Sequence, residues 1–171
     1  MKLTSKDYYT NYNQNAFIED CNRFNRIAGK DGVPTVKSLL QQIALIQEEL
    51  NETREAIFEN DHAGLLDGFV DVGVTLAGLG QMLDSLGMNT LAAMKETAVN
   101  NLSKFIDSYE SETIQNTLDM YKLKHIKITS EYNKEEELVI FKDEDSKVRK
   151  PHGFISNNLS KYVPDGLIIK E

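Results

Sequence analysis

Apolar residues in this chain follow two rhythms. Up to about residue 108 they recur every three or four positions, the spacing of α-helices that each turn one face to a core; beyond it they alternate over short runs or lose regularity. Four helices are predicted in the first part. The first covers residues 4 to 28, with Thr4 or Ser5 as its cap, Asp7 in its first turn, and Phe17, Cys21, Phe24 and Ala28 along one stripe. Gly29, Gly32 and Pro34 end it. The second starts at Thr35 or Ser38 and runs to about Asn60, its stripe made by Leu39, Ile43, Ile46, Leu50 and Ile57. Asn60, Asp61 and Gly64 read as a break, and a third helix runs from about Leu65 to Leu86 with Gly87 as C-cap. A fourth extends from Asn89 to Ser108, capped by Asn89 or Thr90, with Leu91, Met94, Ala98, Leu102 and Phe105 on one side. Four helices with short connections predict an all-α fold, an antiparallel four-helix bundle.

After Ser108 the pattern changes. Glu112 to Leu123 predicts a short helix, and HIKITSEY (125–132) and ELVIFK (137–142) alternate like the strands of a hairpin joined by the polar turn NKEE. DEDSKVRKPHGF and SNNLSKYVP carry turn formers and few regular apolar repeats. The chain therefore reads as a helical bundle over residues 1–108, and a helix, β-hairpin and extended arm over 109–171 packed on it.

The third helix carries an anomaly. From Leu65 to Leu83 it is apolar or small around its circumference, the mark of a helix buried on most sides, yet Asp67 and Asp71 fall one turn apart in line with Val74 and Gly78. An unpaired carboxylate is costly to bury. On the second helix Glu49 and Glu52 share a face, between Leu45 and Ala56 and beside the apolar stripe, with Glu48 and Glu55 nearby. Two acidic pairs on two helices offset that cost most simply by sharing divalent cations that prefer oxygen ligands, Mg²⁺ above all. Gly64, Gly68, Gly73, Gly78 and Gly80 would weaken an isolated helix, so their density points to close packing around a crowded site. One chain of this size has too little surface to cover so apolar a helix, which predicts burial against a second subunit.

Composition narrows the partners. A length of 171 residues suits one domain, or one with a small appendage. The net charge of −8 and pI near 5.0 lack the basic footprint that nucleic acid or an anionic membrane requires, while a small anionic ligand held through a metal stays compatible. A single cysteine, Cys21, forms no internal disulfide and fits a reducing compartment. The opening MKLTSKDYYT has no apolar signal core, so a cytoplasmic location is expected. Two central aspartates make membrane insertion of residues 65 to 83 costly.

Four segments then combine. Glu48-Glu49-Leu50-Asn51-Glu52 has the form EExxE; LLDGFVDVGVTLAG places Asp71 at the aspartate of a following ExxD; Ala98 to Phe105, AVNNLSKF, is similar to an SNxxK segment; and KVRKPHGF is similar to a GKVxKPxxF ending. In this order they resemble the all-α nucleoside triphosphate pyrophosphohydrolases, the superfamily of MazG, dimeric dUTPases and phosphoribosyl-ATP pyrophosphohydrolase, in its phage and bacterial branch. The resemblance implies Mg²⁺-dependent cleavage of a nucleoside triphosphate between the α and β phosphates, with Mn²⁺ as a possible substitute, in a homodimer or homotetramer. Glu48, Glu49, Glu52 and Asp71 become the catalytic set, with Glu49, Glu52, Asp67 and Asp71 as metal ligands and Glu48 orienting a metal-activated water. Asn101 and Lys104 suit phosphate contact. Lys147 and Lys150, with Arg149, form a basic arm for the triphosphate, and Phe24 and Asn25 can stack on and hydrogen-bond a base. One departure stands out: the glutamate of ExxD is Gly68 here, and the nearby acid is Asp67.

Two other readings use the same residues. A di-iron carboxylate bundle needs paired Glu-x-x-His elements, and this chain offers one, Glu59-x-x-His62; His125 and His152 have no such partner. A non-catalytic nucleotide-binding adaptor or regulator of the same fold draws support from Gly68.

Overall fold

The first N–H groups of a helix need acceptors that the helix itself does not provide, and two side chains supply them where the second and third helices begin. The computed structural model describes residues 14–171; the predicted caps Thr4 and Ser5, and Asp7, lie outside the described residues. Helix α1 spans Gln14–Ile27. Helix α2, Val36–Glu59, opens on a reciprocal capping box in which Thr35 Oγ1 accepts the Ser38 N–H (3.2 Å) and Ser38 Oγ accepts the Thr35 N–H (2.8 Å). Asn60, left-handed at φ 56°, closes it.

Helix α3, His62–Ser85, starts earlier than the predicted Leu65. The Asp61 carboxylate accepts the N–H groups of Ala63 and Gly64, both at 3.0 Å, so Gly64 belongs to the first turn and not to the break. Gly87 ends α3 as expected, at φ 83°, with the Met88 N–H donating to the Leu83 carbonyl. Helix α4, Thr90–Leu102, stops well short of the predicted Ser108. The cause is tertiary: Ile106 and Asp107 form a strand, β1, opposite Val139 and Leu138. Helix α5 spans Ser111–Leu123, and the predicted hairpin is β2, Ile128–Asn133, with β3, Leu138–Asp143. Its turn is held by Asn133 Oδ1, which accepts the N–H groups of Glu135 and Glu136. The sheet is antiparallel throughout, in the order β1-β3-β2, and the molecule is mostly helical with this one small sheet.

The chain divides into two compact units. In one, the described part of Met1–Thr90 together with Lys161–Glu171, α2 and α3 form an antiparallel pair and α1 packs on α3. Small residues make the pair close: ideal Cβ atoms at Gly64, Gly68 and Gly78 would meet Ala56, Thr53 and Gln42 respectively. Phe17 of α1 lies beside Gly73, and Asn25 Nδ2 donates to Gln81 Oε1 at 3.0 Å. The chain's last residues return to this unit, where the Val36 N–H donates to the Lys170 carbonyl at 2.8 Å.

In the other unit, Leu91–Ser160, the alternation along β3 buries Val139 and Phe141 with Ile106, and Ile114, Leu118 and Ile128 pack around them. Full burial of an aromatic such as Phe141 contributes about 2–3 kcal/mol.

Burial of α3 within this one chain is partial, as its apolar circumference predicts for a helix that a single chain cannot cover. Only Gly68 and Gly78 of α3 are buried, while Leu66 (65% exposed), Phe69 (71%) and Leu76 (53%) face outward. Helices α2 and α1 take two sides of α3, and among the described residues its remaining side is left uncovered. The α4 stripe behaves alike, with Leu91, Met94 and Leu102 exposed. By length and composition, α3 is apolar enough to cross a membrane, at a mean hydropathy of 1.4.

Candidate functional site

Helix register decides which acids meet. Thr53 lies against Gly68 and Gln42 against Gly78, so running back from Thr53 on α2 matches running forward from Gly68 on α3. Glu49, one turn before Thr53, therefore stands opposite Asp71, one turn after Gly68. Both are half-buried. Each has a threonine one turn further on that donates to its carbonyl: Thr53 Oγ1 to Glu49 (2.7 Å) and Thr75 Oγ1 to Asp71 (2.9 Å). Glu48, Glu52 and Asp67 are exposed along one flank of the same seam.

Charge agrees with this placement. The Glu49 carboxyl is pushed above its ordinary value, first by burial, then by Asp71, Glu52, Glu48 and Asp67 in that order. All five acids thus act on one centre. Among the described residues none of them enters an ion pair with a lysine or arginine, and no three metal-binding side chains are already gathered for an ion. What stands at the seam is an oxygen-rich, partly buried excess of negative charge.

The departure at position 68 has a steric reason. A Cβ on Gly68 would run into the Thr53 hydroxyl and come within 3.1 Å of the Thr53 Cα. That position faces the backbone of α2, where no glutamate fits. Asp67, one residue earlier, points to the acidic flank and reaches Glu49 electrostatically.

The remaining predicted residues belong to both units. Phe24 is 61% exposed, outside any core, because the α1 stripe that meets α3 runs through Phe17, Cys21 and Asn25. Asn25 gives its amide N–H to Gln81. In the Leu91–Ser160 unit, Lys104 Nζ donates to Asn101 Oδ1 at 2.7 Å, so these two form a local pair. Lys147 is exposed; its backbone N–H donates to Asp143 Oδ1 at 2.8 Å. Lys150 Nζ donates to Ser156 Oγ (3.0 Å) and lies 5.0 Å over the Phe154 ring. Arg149 is drawn inward to Asp143 (2.5 Å); the Lys147 N–H and this guanidinium hold the Asp143 carboxyl below its ordinary range.

The di-iron alternative loses ground. Glu59 ends α2 and His62 begins α3, so they do not share the single helix face that a Glu-x-x-His element needs. Cys21 is buried, and burial followed by Asp20 pushes its thiol up, away from a reactive thiolate.

An amide cluster escaped the sequence reading. Gln42 Nε2 donates to the Thr75 carbonyl (2.7 Å), and Gln42 and Asn25 both crowd Gly78, beside the Asn25–Gln81 bond. Gln42 sits at helical spacing from Glu49 but belongs to the polar half of the pattern, so nothing in the spacing marked it. Comparison with models of protein families, with curated proteins and with solved structures finds no match for this chain.

Proposed function

We propose that the protein is a Mg²⁺-dependent nucleoside triphosphate pyrophosphohydrolase, with a MazG-like helical core, that cleaves between the α and β phosphates to give a monophosphate and pyrophosphate. The observation that carries this reading is the meeting of Glu49 and Asp71 across the α2–α3 seam, with Glu48, Glu52 and Asp67 adding their charge at Glu49. An all-carboxylate donor set suits a hard divalent cation, and such an ion would relieve the repulsion recorded at Glu49. Glu49, Glu52, Asp67 and Asp71 are the residues to hold it. Bound there, Mg²⁺ or Mn²⁺ supplies positive charge against the phosphate oxygens as negative charge develops on them.

The chain's own groups do the rest. Glu48, exposed at the rim and free of an ion pair among the described residues, orients a water and accepts its proton. Asn101, Lys104, Lys147 and Lys150 supply donors and charge for the phosphates, and Phe24 and Asn25 a surface for the base; these assignments rest on the sequence resemblance. A homodimer or homotetramer belongs to the same reading. Its support is the apolar flank formed by Ile43, Leu50 and Ile57 on α2 with Leu65, Phe69 and Leu76 on α3, all exposed and on the side of the seam away from the acids.

The test is pyrophosphate release from the eight common NTPs and dNTPs with Mg²⁺, Mn²⁺ or EDTA, the nucleotide products separated by chromatography. Metal-dependent monophosphate with pyrophosphate is expected, and Glu49→Gln or Asp71→Asn should abolish it while the protein stays folded. Diphosphate with orthophosphate would place the cut at another bond and end this reading. Nucleotide binding without turnover would favour the non-catalytic regulator, for which the steric exclusion of a glutamate at position 68 is the specific support.

A further inference from the structure

The Leu91–Ser160 unit holds a cleft of about 700 Å³ that none of the acids at the seam lines. One side is a face of α4 that presents Glu96, Val99 and Asn100, at the spacing of a single helix face. Glu110, at the start of α5, lies at its edge. The facing wall is the segment 151–158, tied down at three points and at Lys150 just before it. Tyr121 Oη donates to the Lys150 carbonyl (3.0 Å), and the hydroxyl of fully buried Thr117 accepts the His152 N–H (2.8 Å). Asn100 Nδ2 donates to the Ile155 carbonyl (2.8 Å), and Asn157 Nδ2 to Thr97 Oγ1 (2.9 Å). Holding an irregular segment in one conformation costs backbone entropy, and here the outcome is a shaped wall beside open space.

The lining has a definite chemistry. Phe154 lines the cleft while the Lys150 ammonium lies over its ring, 5.0 Å from the centroid. Asn100, its amide N–H spent on Ile155, still has a carbonyl oxygen to accept with. Glu110 accepts the Thr113 hydroxyl on Oε2 (3.1 Å), and a carboxylate has further acceptor sites. Among the described residues two glutamates line the cleft, and the one ammonium beside it is that of Lys150, over Phe154 and bonded to Ser156. An aromatic ring beside carboxylate and amide acceptors favours a flat ring that presents N–H donors. Aromatic stacking combined with carboxylate or amide acceptors is how aminated nucleobases are held.

We propose that this cleft binds a nucleoside through an aminated base, stacked on Phe154 with its exocyclic amine donated to Glu110. The site needs no metal and none of the acids at the seam; Lys150, over Phe154, is a residue that the pyrophosphohydrolase reading also uses. The experiment is a titration of the full chain in EDTA with adenosine, cytidine, uridine and AMP, followed by saturation-transfer NMR. Adenosine or cytidine should bind, uridine at least about tenfold more weakly because its base presents a carbonyl where cytosine has an amine, and AMP no more tightly than adenosine. Phe154→Ala and Glu110→Leu should each weaken adenosine or cytidine about tenfold, whereas Glu49→Gln should leave binding unchanged. Thermal melting establishes that each variant is folded, and Glu110, on the surface, serves if Phe154→Ala does not fold. Absence of saturation transfer from every nucleoside, equal binding of uridine, or binding that survives Glu110→Leu would overturn the proposal. Because metal is excluded throughout, failure here leaves the seam reading untouched.

Discussion

Gly68 and Gly80 lie on one helix and call for opposite outcomes on substitution. Gly68→Ala drives a methyl group into Thr53, an overpacking cost of about 1–3 kcal/mol, against a gain of about 1 kcal/mol in helix propensity. A net loss of up to about 2 kcal/mol in urea unfolding is expected, partly restored by Thr53→Ala. Gly80→Ala meets nothing within 4 Å and should stabilise by about 0.5–1 kcal/mol. Glu49 makes a second prediction at this scale. Its folded-state pKa is raised, so its contribution to stability is fully present below the unfolded value and is lost as pH rises through the folded value. Stability of the metal-free protein should therefore fall as pH rises across the upper carboxylate range. Glu49→Gln should flatten that slope and raise the melting temperature at neutral pH, and added Mg²⁺ should do the same for the unaltered protein if the acids hold it. Glu49 and Asp71 were legible in the sequence because a charge amid apolar residues announces itself. Why position 68 has no side chain was not, since Thr53 becomes its neighbour only once the register of two helices is known.

Among elements, the segment after β3 is tied at His152 by a fully buried hydroxyl. Thr117 Oγ1 donates to the Thr113 carbonyl and accepts the His152 N–H. Thr117→Val keeps the shape but leaves that N–H without its partner, a cost of about 1–3 kcal/mol. Amide hydrogen exchange at His152 should speed up markedly, with the β3 amides protected as before; unchanged exchange at His152 would mean the tie is not what orders the segment. Element boundaries show where local patterns lose. Asp61 was read as part of a break and is the cap of α3. The α4 pattern runs on to Phe105, but Ile106 gains a ladder with β3 that no local spacing could disclose, and the helix ends first. The helix start at Thr35 and the turn at Asn133 were legible because the partners that fix them lie within three residues.

At the scale of the whole molecule, the uncovered apolar residues of α2 and α3 demand a partner or a penalty. Under the oligomeric reading, light scattering after size exclusion should give a homo-oligomer, and Leu50→Lys or Phe69→Lys, each on the outward flank, should shift it toward monomer without loss of helicity. A wild-type monomer at micromolar concentration would refute that part of the proposal.

From the sequence alone came the helical class, the hairpin, the strong acidity, the acids worth watching, and a helix too apolar for one chain to cover. All of these rest on composition or on spacings within one element, which a single segment carries complete. Tertiary structure alone decided that Glu49 faces Asp71, that Gly68 excludes a carboxylate, that Phe24 lies outside the core, that Ile106 becomes a strand, and that residues 151–158 wall a cleft. Each of these depends on a contact between segments distant along the chain, and helix period or strand alternation within one segment holds no record of the register in which two segments meet.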